Sequence, residues 1–346
     1  MKFDFCIGNP PYQDESNGEL RNYAPPVYHL FLDEAYKVAE KVELIHPARF
    51  LFNAGSTPTT WNQKMLQDTH FKVLLFDQNS DTFFPTLSTP IKGGIAITYH
   101  DNKNEFGSIE VYSQFSELNE ISLKVRNHKQ FSPLSNIVYS RTSYRLTDKL
   151  HKDFPEAINQ LSDGHAYDMA SNIFQRIPEV FYDEVPQDGL DYIGIIGRDN
   201  NQRVIKFIRK DYVNNPENLD SYKLLLAQAN GNGTFGEVLS QPIIGKPGYG
   251  STESFISIGN FTKENEAKSI EKYIKSKFAR TMLGILKVTQ NGNKPVWKYV
   301  PLQDFSSNSD IDWNVSIANI DRQLYKKYGL SAEEIEFIET HVKEME

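Results

Sequence analysis

Hydrophobic and polar positions alternate at the very start of the chain. Phe3, Phe5 and Ile7 take one side of an extended run and Asp4, Cys6 and Gly8 the other, which predicts a β-strand. Asn9-Pro10-Pro11-Tyr12 ends it, because neither proline can donate a ladder hydrogen bond. Gln13 to Pro26 is polar and proline-rich and reads as a loop. Val27, Leu30, Phe31, Ala35 and Val38 recur at helical spacing, predicting a helix from Val27 to Lys41 with those residues as its apolar face. Val42 to Pro47 is then a short strand, Ala48 to Phe52 a turn or helix start, Thr59 to Gln67 a second helix, and Phe71 to Phe76 and Gly93 to Tyr99 two further strands. Strand, helix, strand, helix, strand, strand is half of a doubly wound α/β sheet.

From about Ile109 the periodicity weakens, and loops rich in Asn, Gly and Pro recur. Short strands are expected at Tyr192 to Ile196, Val204 to Ile208, Lys223 to Ala227 and Phe255 to Ile258. One amphipathic helix is expected from Lys263 to Leu286, after Thr262 as N-cap, with Ile270, Ile274 and Phe278 on its apolar side. Trp297 to Phe305 forms another element, and Ser331-Ala332-Glu333-Glu334 is a capping box that opens a last helix. The expected division is 1–109, 110–310 and a C-terminal helical segment 311–346.

Composition adds bounds. With 346 residues, 39% hydrophobic and 24% charged, the chain has the make-up of a globular protein and room for two domains. No apolar run approaches a membrane span and the N-terminus lacks a signal-peptide pattern, so a cytoplasmic location without membrane contact is expected. Cys6 is the single cysteine, which excludes an intramolecular disulfide and reads as strand filler. His29 and His46 have no partner at metal-ligand spacing, and no metal site is expected. The net charge of −8 opposes a nucleic-acid partner at face value. Its distribution matters more: acids gather near the C-terminus, while Lys124, Arg126, Lys129, Arg141 and Arg145 occupy the middle.

The chemistry that fits Asn9 to Tyr12 is methyl transfer to an exocyclic amine of a base. Such an amine is a poor nucleophile because its lone pair is delocalised into the ring. The Asn9 side-chain oxygen and the Pro10 carbonyl are two acceptors for its hydrogens, Pro10 and Pro11 fix the backbone, and Tyr12 offers a stacking face. A base inside a duplex cannot be reached, so the nucleotide must be flipped out.

Asn-Pro-Pro-Tyr after a hydrophobic strand resembles the catalytic motif of DNA adenine-N6 methyltransferases. The second half, with Val300-Pro301-Leu302-Gln303-Asp304-Phe305 and Tyr328-Gly329-Leu330-Ser331-Ala332-Glu333, resembles the target-recognition region of the bifunctional type II restriction-modification methylases. The resemblance implies a partial Rossmann-like methyltransferase sheet, the catalytic half, followed by an α+β target-recognition domain. It implies S-adenosylmethionine as cofactor, with Phe31 lining its adenine pocket, and double-stranded DNA as partner. It also implies His100 as the aromatic that stacks on the flipped base opposite Tyr12, although His departs from the family's Phe or Trp.

Base reading needs Arg, Lys, Asn or Gln, and the candidates on expected loops are Arg141, Arg145, Arg198 and Lys246. Gly231-Asn232-Gly233-Thr234-Phe235-Gly236 satisfies a dinucleotide-binding pattern, but the prolines and glycines from Pro242 to Gly250 forbid the helix such a loop must open. The family's glycine loop and ribose-binding acid are read neither before Asn9 nor after residue 109. The chain is therefore expected to be the C-terminal portion of a methyltransferase: a truncated frame, a split enzyme whose second polypeptide carries the cofactor-binding half, or a DNA-binding remnant. The rival to catalysis is a catalytically silent DNA-binding or specificity protein. A nuclease lacks the spaced acids and lysine that metal-dependent cleavage needs.

Overall fold

The computed structural model describes residues 3–14, 25–52, 56–85, 91, 93–113, 115–200, 202–214, 216–231 and 233–346. Residues 15–24 of the expected loop and Asn232 of the glycine pattern lie outside them. The chain forms two compact units, Met1–Leu123 and Lys124–Glu346.

In the first unit, β1 (Phe3–Gly8) leads through α1 (Tyr28–Val38) to β2 (Ala39–Pro47), and α2 (Thr59–Gln67) leads to β3 (Phe71–Asp77) and β4 (Ile95–Asp101). Strand order is β1-β2-β4-β3. β1 and β2 are parallel, as a helical crossover requires, and β4 runs antiparallel to both of its neighbours. The result is a mixed four-stranded sheet. Gly93 and Gly94 take φ of 87° and 80° where the chain enters β4, and a β-carbon on Gly94 would collide with the Asp77 carbonyl.

The core lies on one side of this sheet, where Leu32 and Ala35 of α1 and Trp61, Met65 and Leu66 of α2 pack with Val42, Leu44, Phe71 and Ala96. The buried stripe of α1 is Tyr28, Leu32 and Ala35, so the expected apolar face is corrected: Leu30, Phe31 and Val38 are exposed. Helical spacing alone cannot choose between two apolar stripes. β1 forms as expected, but its apolar side is exposed, Phe3, Phe5 and Ile7 by 59%, 62% and 76%, and on the other side only Cys6 is partly buried against the core. Among the described residues β1 pairs only with β2, so its outer edge is open.

α3 (Ser116–Arg126) contains the point in sequence at which the two units divide. The second unit holds β5 (Val138–Tyr139), the short helices α4 (Asp148–Asp153), α5 (Ala157–Gln160) and α6 (Ile173–Arg176), β6 (Tyr192–Asp199), β7 (Gln202–Arg209), β8 (Tyr222–Ala227), β9 (Ile243–Gly245), β10 (Tyr249–Ser251) and β11 (Phe255–Phe261). Two sheets result, ordered β10-β6-β7 and β5-β11-β8-β9. The four expected strands sit inside β6, β7, β8 and β11.

The helix expected from Lys263 to Leu286 is two helices, α7 (Glu264–Lys275) and α8 (Lys277–Gly284). Ser276 breaks it by capping α8, its hydroxyl accepting from Ala279 N at 3.1 Å, while Asp321 accepts from Lys277 N and Phe278 N at 3.1 and 2.9 Å. The 311–346 stretch, expected as a separate segment, packs into this unit through α9 (Ile317–Lys327) and α10 (Ala332–His341), with Tyr328 stacked on Phe278 at 5.0 Å. The capping box is formed: Ser331 N donates to the Glu334 carboxylate at 2.7 Å, and Glu334 N to the Ser331 hydroxyl at 3.3 Å.

Candidate active site and recognition cleft

Asn9-Pro10-Pro11-Tyr12 follows β1 at its C-terminal end, the end at which open α/β sheets place ligands. Pro10 is buried and Asn9 exposed, so the amide is fixed at its backbone and presented at its side chain. The loop beyond is closed at its base, because Val27 N donates to the Tyr12 carbonyl at 3.1 Å and Asp14 N to the Pro25 carbonyl at 3.0 Å. Burial pushes the Tyr12 phenol up to about 12, with the neighbouring Asn9 side chain opposing. The hydroxyl makes no hydrogen bond of sound geometry with that amide, and no partner for it is present among the described residues. The two groups are close without alignment, and proximity alone is not a hydrogen bond.

A second aromatic stands beside Tyr12. Phe84 meets it edge-on, ring centroids 6.4 Å apart and planes at 72°. It is held by a tight local turn: Asn79 accepts from Asp81 N at 3.1 Å, Ser80 accepts from Ile91 N at 2.9 Å, and Phe84 N donates to the Ser80 carbonyl at 3.0 Å. Sequence reasoning missed this residue. The available signal was the Phe83-Phe84 pair directly after an Asn79-Ser80-Asp81-Thr82 turn.

His100 does not join the motif. It is 5% exposed, stacked on Tyr36 at 4.1 Å with planes at 16°, and its Nε2 lies 3.2 Å from the Asp68 carboxylate. In register it lies opposite Val42, which pairs with Cys6, three residues back from Asn9. At about 3.3 Å per residue that is about 10 Å along the strand, on the face covered by α1. Its surroundings are those of a core residue rather than a base-stacking one. Phe31 stands 47% exposed on α1. His46 is enclosed against Tyr28 and bonded to Thr98 at 2.7 Å, and burial lowers it to about 4, which leaves it neutral.

In the second unit, Arg141 and Arg198 come together in one cleft of about 780 Å³, joined by Arg203, which was not singled out from sequence. Arg145 is directed elsewhere, 3.1 Å from Asp168, and Lys246 sits on an exposed turn away from the cleft lining. Gly231, Gly233 and Gly236 all have positive φ and no helix follows them directly among the described residues, and Glu237 just after them pairs with buried Lys287 at 2.5 Å. This is a structural loop. Among the described residues no three His, Cys, Asp or Glu side chains converge as metal ligands, and no helix is long and apolar enough to cross a membrane.

Residues 1–84 match the family of Eco57I restriction-modification methylases. An uncharacterized adenine-specific methylase of Mycoplasma pneumoniae (strain ATCC 29342 / M129 / Subtype 1) is 30% identical over 119 residues, which is 34% of this chain and 28% of that protein. The chain thus spans little more than a quarter of the length of this curated relative. Among solved structures, the type IIG restriction endonuclease BpuSI covers 91% of the chain with 48% of its own, at 10% identity and a TM-score of 0.32. The type IIL restriction-modification enzyme MmeI, solved in complex with DNA, covers 98% with 56% of its own, at 10% identity and a TM-score of 0.29. The resemblance carried by Asn9 to Tyr12 to adenine methylases of the restriction-modification type is therefore supported by both the family match and the curated relative.

Proposed function

We propose, from the premise that the first 84 residues are of the restriction-modification methylase kind, that the chain is the catalytic and target-recognition part of a site-specific DNA adenine-N6 methyltransferase. The observation that carries this is an exposed Asn9 on a Pro-Pro-fixed turn at the end of a parallel strand, beside an aromatic pair. In this reading the Asn9 side-chain oxygen and the Pro10 carbonyl accept the two hydrogens of a flipped adenine's amine, which localises its lone pair. Tyr12 and Phe84 are the two rings that hold the base, Phe84 taking the role that the resemblance would give His100. Preorganised acceptors of this type contribute most where water is excluded.

S-adenosylmethionine would supply an electrophilic methyl group when bound. Phe31 fits one face of its adenine ring, being aromatic, half exposed and fixed on a helix packed into the core. This gives one wall of a pocket; the described residues around it add no glycine loop. We place the remaining walls on a segment that pairs with the open edge of β1, carried either by a longer form of this chain or by a second polypeptide. Exposed Phe3, Phe5 and Ile7 are the surface it would cover.

The test is Asn9→Ala in the reconstituted enzyme. Methyl transfer should fall by about 100-fold to 1,000-fold while DNA binding stays nearly intact, since one preorganised polar contact is worth about that much. A wild-type rate from the variant would end the mechanism.

A further inference from the structure

The cleft of the second unit lies where strands of both its sheets begin and end. Arg198 is near the end of β6, Arg203 near the start of β7, Gln228 just past β8 and Phe255 at the start of β11, while Asn172 and Gln175 come from α6 and the residue before it. Backbone position is therefore fixed by the ladders, and the side chains project from rigid ends. We infer that this cleft reads duplex DNA by its base edges and phosphates, with Arg141, Arg198 and Arg203 as the cationic contacts and Gln175 as an acceptor. The inference rests on the methyltransferase reading and names the surface that selects its target.

Three observations carry it. Charge is the first: among the described residues three arginines and one acid, Glu253, line the cleft, with Asp199 beside them as the acceptor of Gln175, in a chain of net charge −8. Arg141 lies 4.0 Å from Glu253 with its side chain 48% exposed, a pair worth little and easily exchanged for a phosphate.

Chemistry is the second. The guanidinium fork matches guanine O6 and N7 or a phosphate, and a side-chain amide matches adenine or cytosine amines. Gln175 donates its Nε2 to Asp199 at 2.5 Å, and because a carboxylate only accepts, the amide oxygen is the atom turned from that carboxylate and able to receive a base amine.

The third concerns stacking. Phe255 is the single aromatic in the lining, it is 2% exposed, and the Arg203 guanidinium lies over it at 5.7 Å. No ring face is therefore presented to an unstacked base, which is the platform single-strand binders depend on. A small-molecule pocket of this volume would be lined mainly by apolar groups, and this one is not.

The experiment uses the full chain, a pool of randomised duplex DNA and sequencing of what is bound, with affinity for the enriched duplex measured by anisotropy across a salt series. The wild-type chain should enrich one motif. Arg141→Ala and Arg198→Ala should weaken binding and flatten the salt dependence. Arg198→Lys, which keeps charge but loses the fork, should retain most affinity while its preference at one base pair relaxes by about 5-fold to 150-fold. Gln175→Ala should relax a different position, and unchanged thermal unfolding of each variant shows that the fold is intact. If the wild type enriches a motif that none of these variants alters, the cleft assignment is wrong and the methyltransferase reading survives. If the wild type enriches no motif, the recognition role of the second unit falls with it. Competition by single strands more effective than by duplex would overturn the mode of reading.

Discussion

Replacing Phe84 by alanine tests the base-holding pair directly. A base sandwiched between two rings needs about 3.5 Å of carbon contact on each side, so about 7 Å between the ring planes. Tyr12 and Phe84 already stand 6.4 Å apart, but their planes are 72° from parallel. Phe84 must therefore turn more than it must move, and its anchored backbone allows that about the side-chain bonds. One base–aromatic stack is worth about 1–3 kcal/mol, which corresponds to about 5-fold to 150-fold in the population of flipped adenine. The assay is the fluorescence of 2-aminopurine placed at the target adenine, read in the reconstituted enzyme. Phe84→Ala should lose that signal and Phe84→Trp retain it, both with near-normal thermal stability, because Phe84 is only partly buried. His100→Ala should do the reverse, lowering stability through the loss of its Tyr36 stack and Asp68 contact while the folded fraction still flips the base. Normal flipping by Phe84→Ala, together with loss of flipping by well-folded His100→Ala, would refute the reasoning and return the role to His100.

Two further outcomes follow from buried polar groups. Burial raises Asp321 from 3.8 to about 6, so the folded state holds its proton more tightly than the unfolded chain does. Its contribution to stability is greatest below about pH 4, declines as pH rises to about 6, and spans about 3 kcal/mol; Asp321→Asn should remove that slope from denaturant midpoints measured across the range. Tyr12→Phe deletes a buried hydroxyl with no partner among the described residues. Folding stability should hold or rise by about 1–3 kcal/mol, and a clear fall in unfolding temperature would reveal a partner for that hydroxyl.

What was legible in the sequence was whatever local chemistry decides. Alternation around Phe5 together with Pro10 and Pro11 sets β1 and its end, and the Ser331 to Glu334 box starts α10 by bonds within one turn. What was not legible depends on distant partners. The break at Ser276 is reinforced by Asp321, 44 and 43 residues from the amides it accepts. The buried stripe of α1 is chosen by Trp61 and the sheet, and its own spacing leaves Leu30 and Phe31 equally plausible. His100 followed from the resemblance, as the residue at the place of the family's base-stacking aromatic. The antiparallel direction of β4 then carries the end of that strand away from Asn9, while the turn before it carries Phe84 toward Tyr12. The cleft arginines come from separate strands, and only the pairing of β6 with β7 brings Arg198 opposite Arg203.

Asn9 is exposed, and that sets what the first unit can do unaided. An acceptor facing water exchanges one hydrogen bond for another, for a net gain of about 1 kcal/mol, whereas the same acceptor in a water-excluded site contributes several times more to a transition state. The apolar surface available to exclude water lies on both sides of the motif in sequence: Phe3, Phe5 and Ile7 before it, Leu30 and Phe31 after it, all exposed. Lys41 reaches over the Phe5 ring at 5.4 Å, which shields little of that row. The expected behaviour of the isolated chain is weak or absent binding of S-adenosylmethionine, no turnover, and self-association through the β1 edge. Phe5→Glu should give a monodisperse chain by light scattering without lowering its unfolding temperature, since no core contact is lost and the carboxylate would face Lys41 across the strands. The same change should block restoration of activity by a separately supplied cofactor-binding segment. Calorimetric titration of the monodisperse chain decides the matter: micromolar binding of S-adenosylmethionine, with turnover on duplex DNA and no added protein, would show that this chain closes its own site.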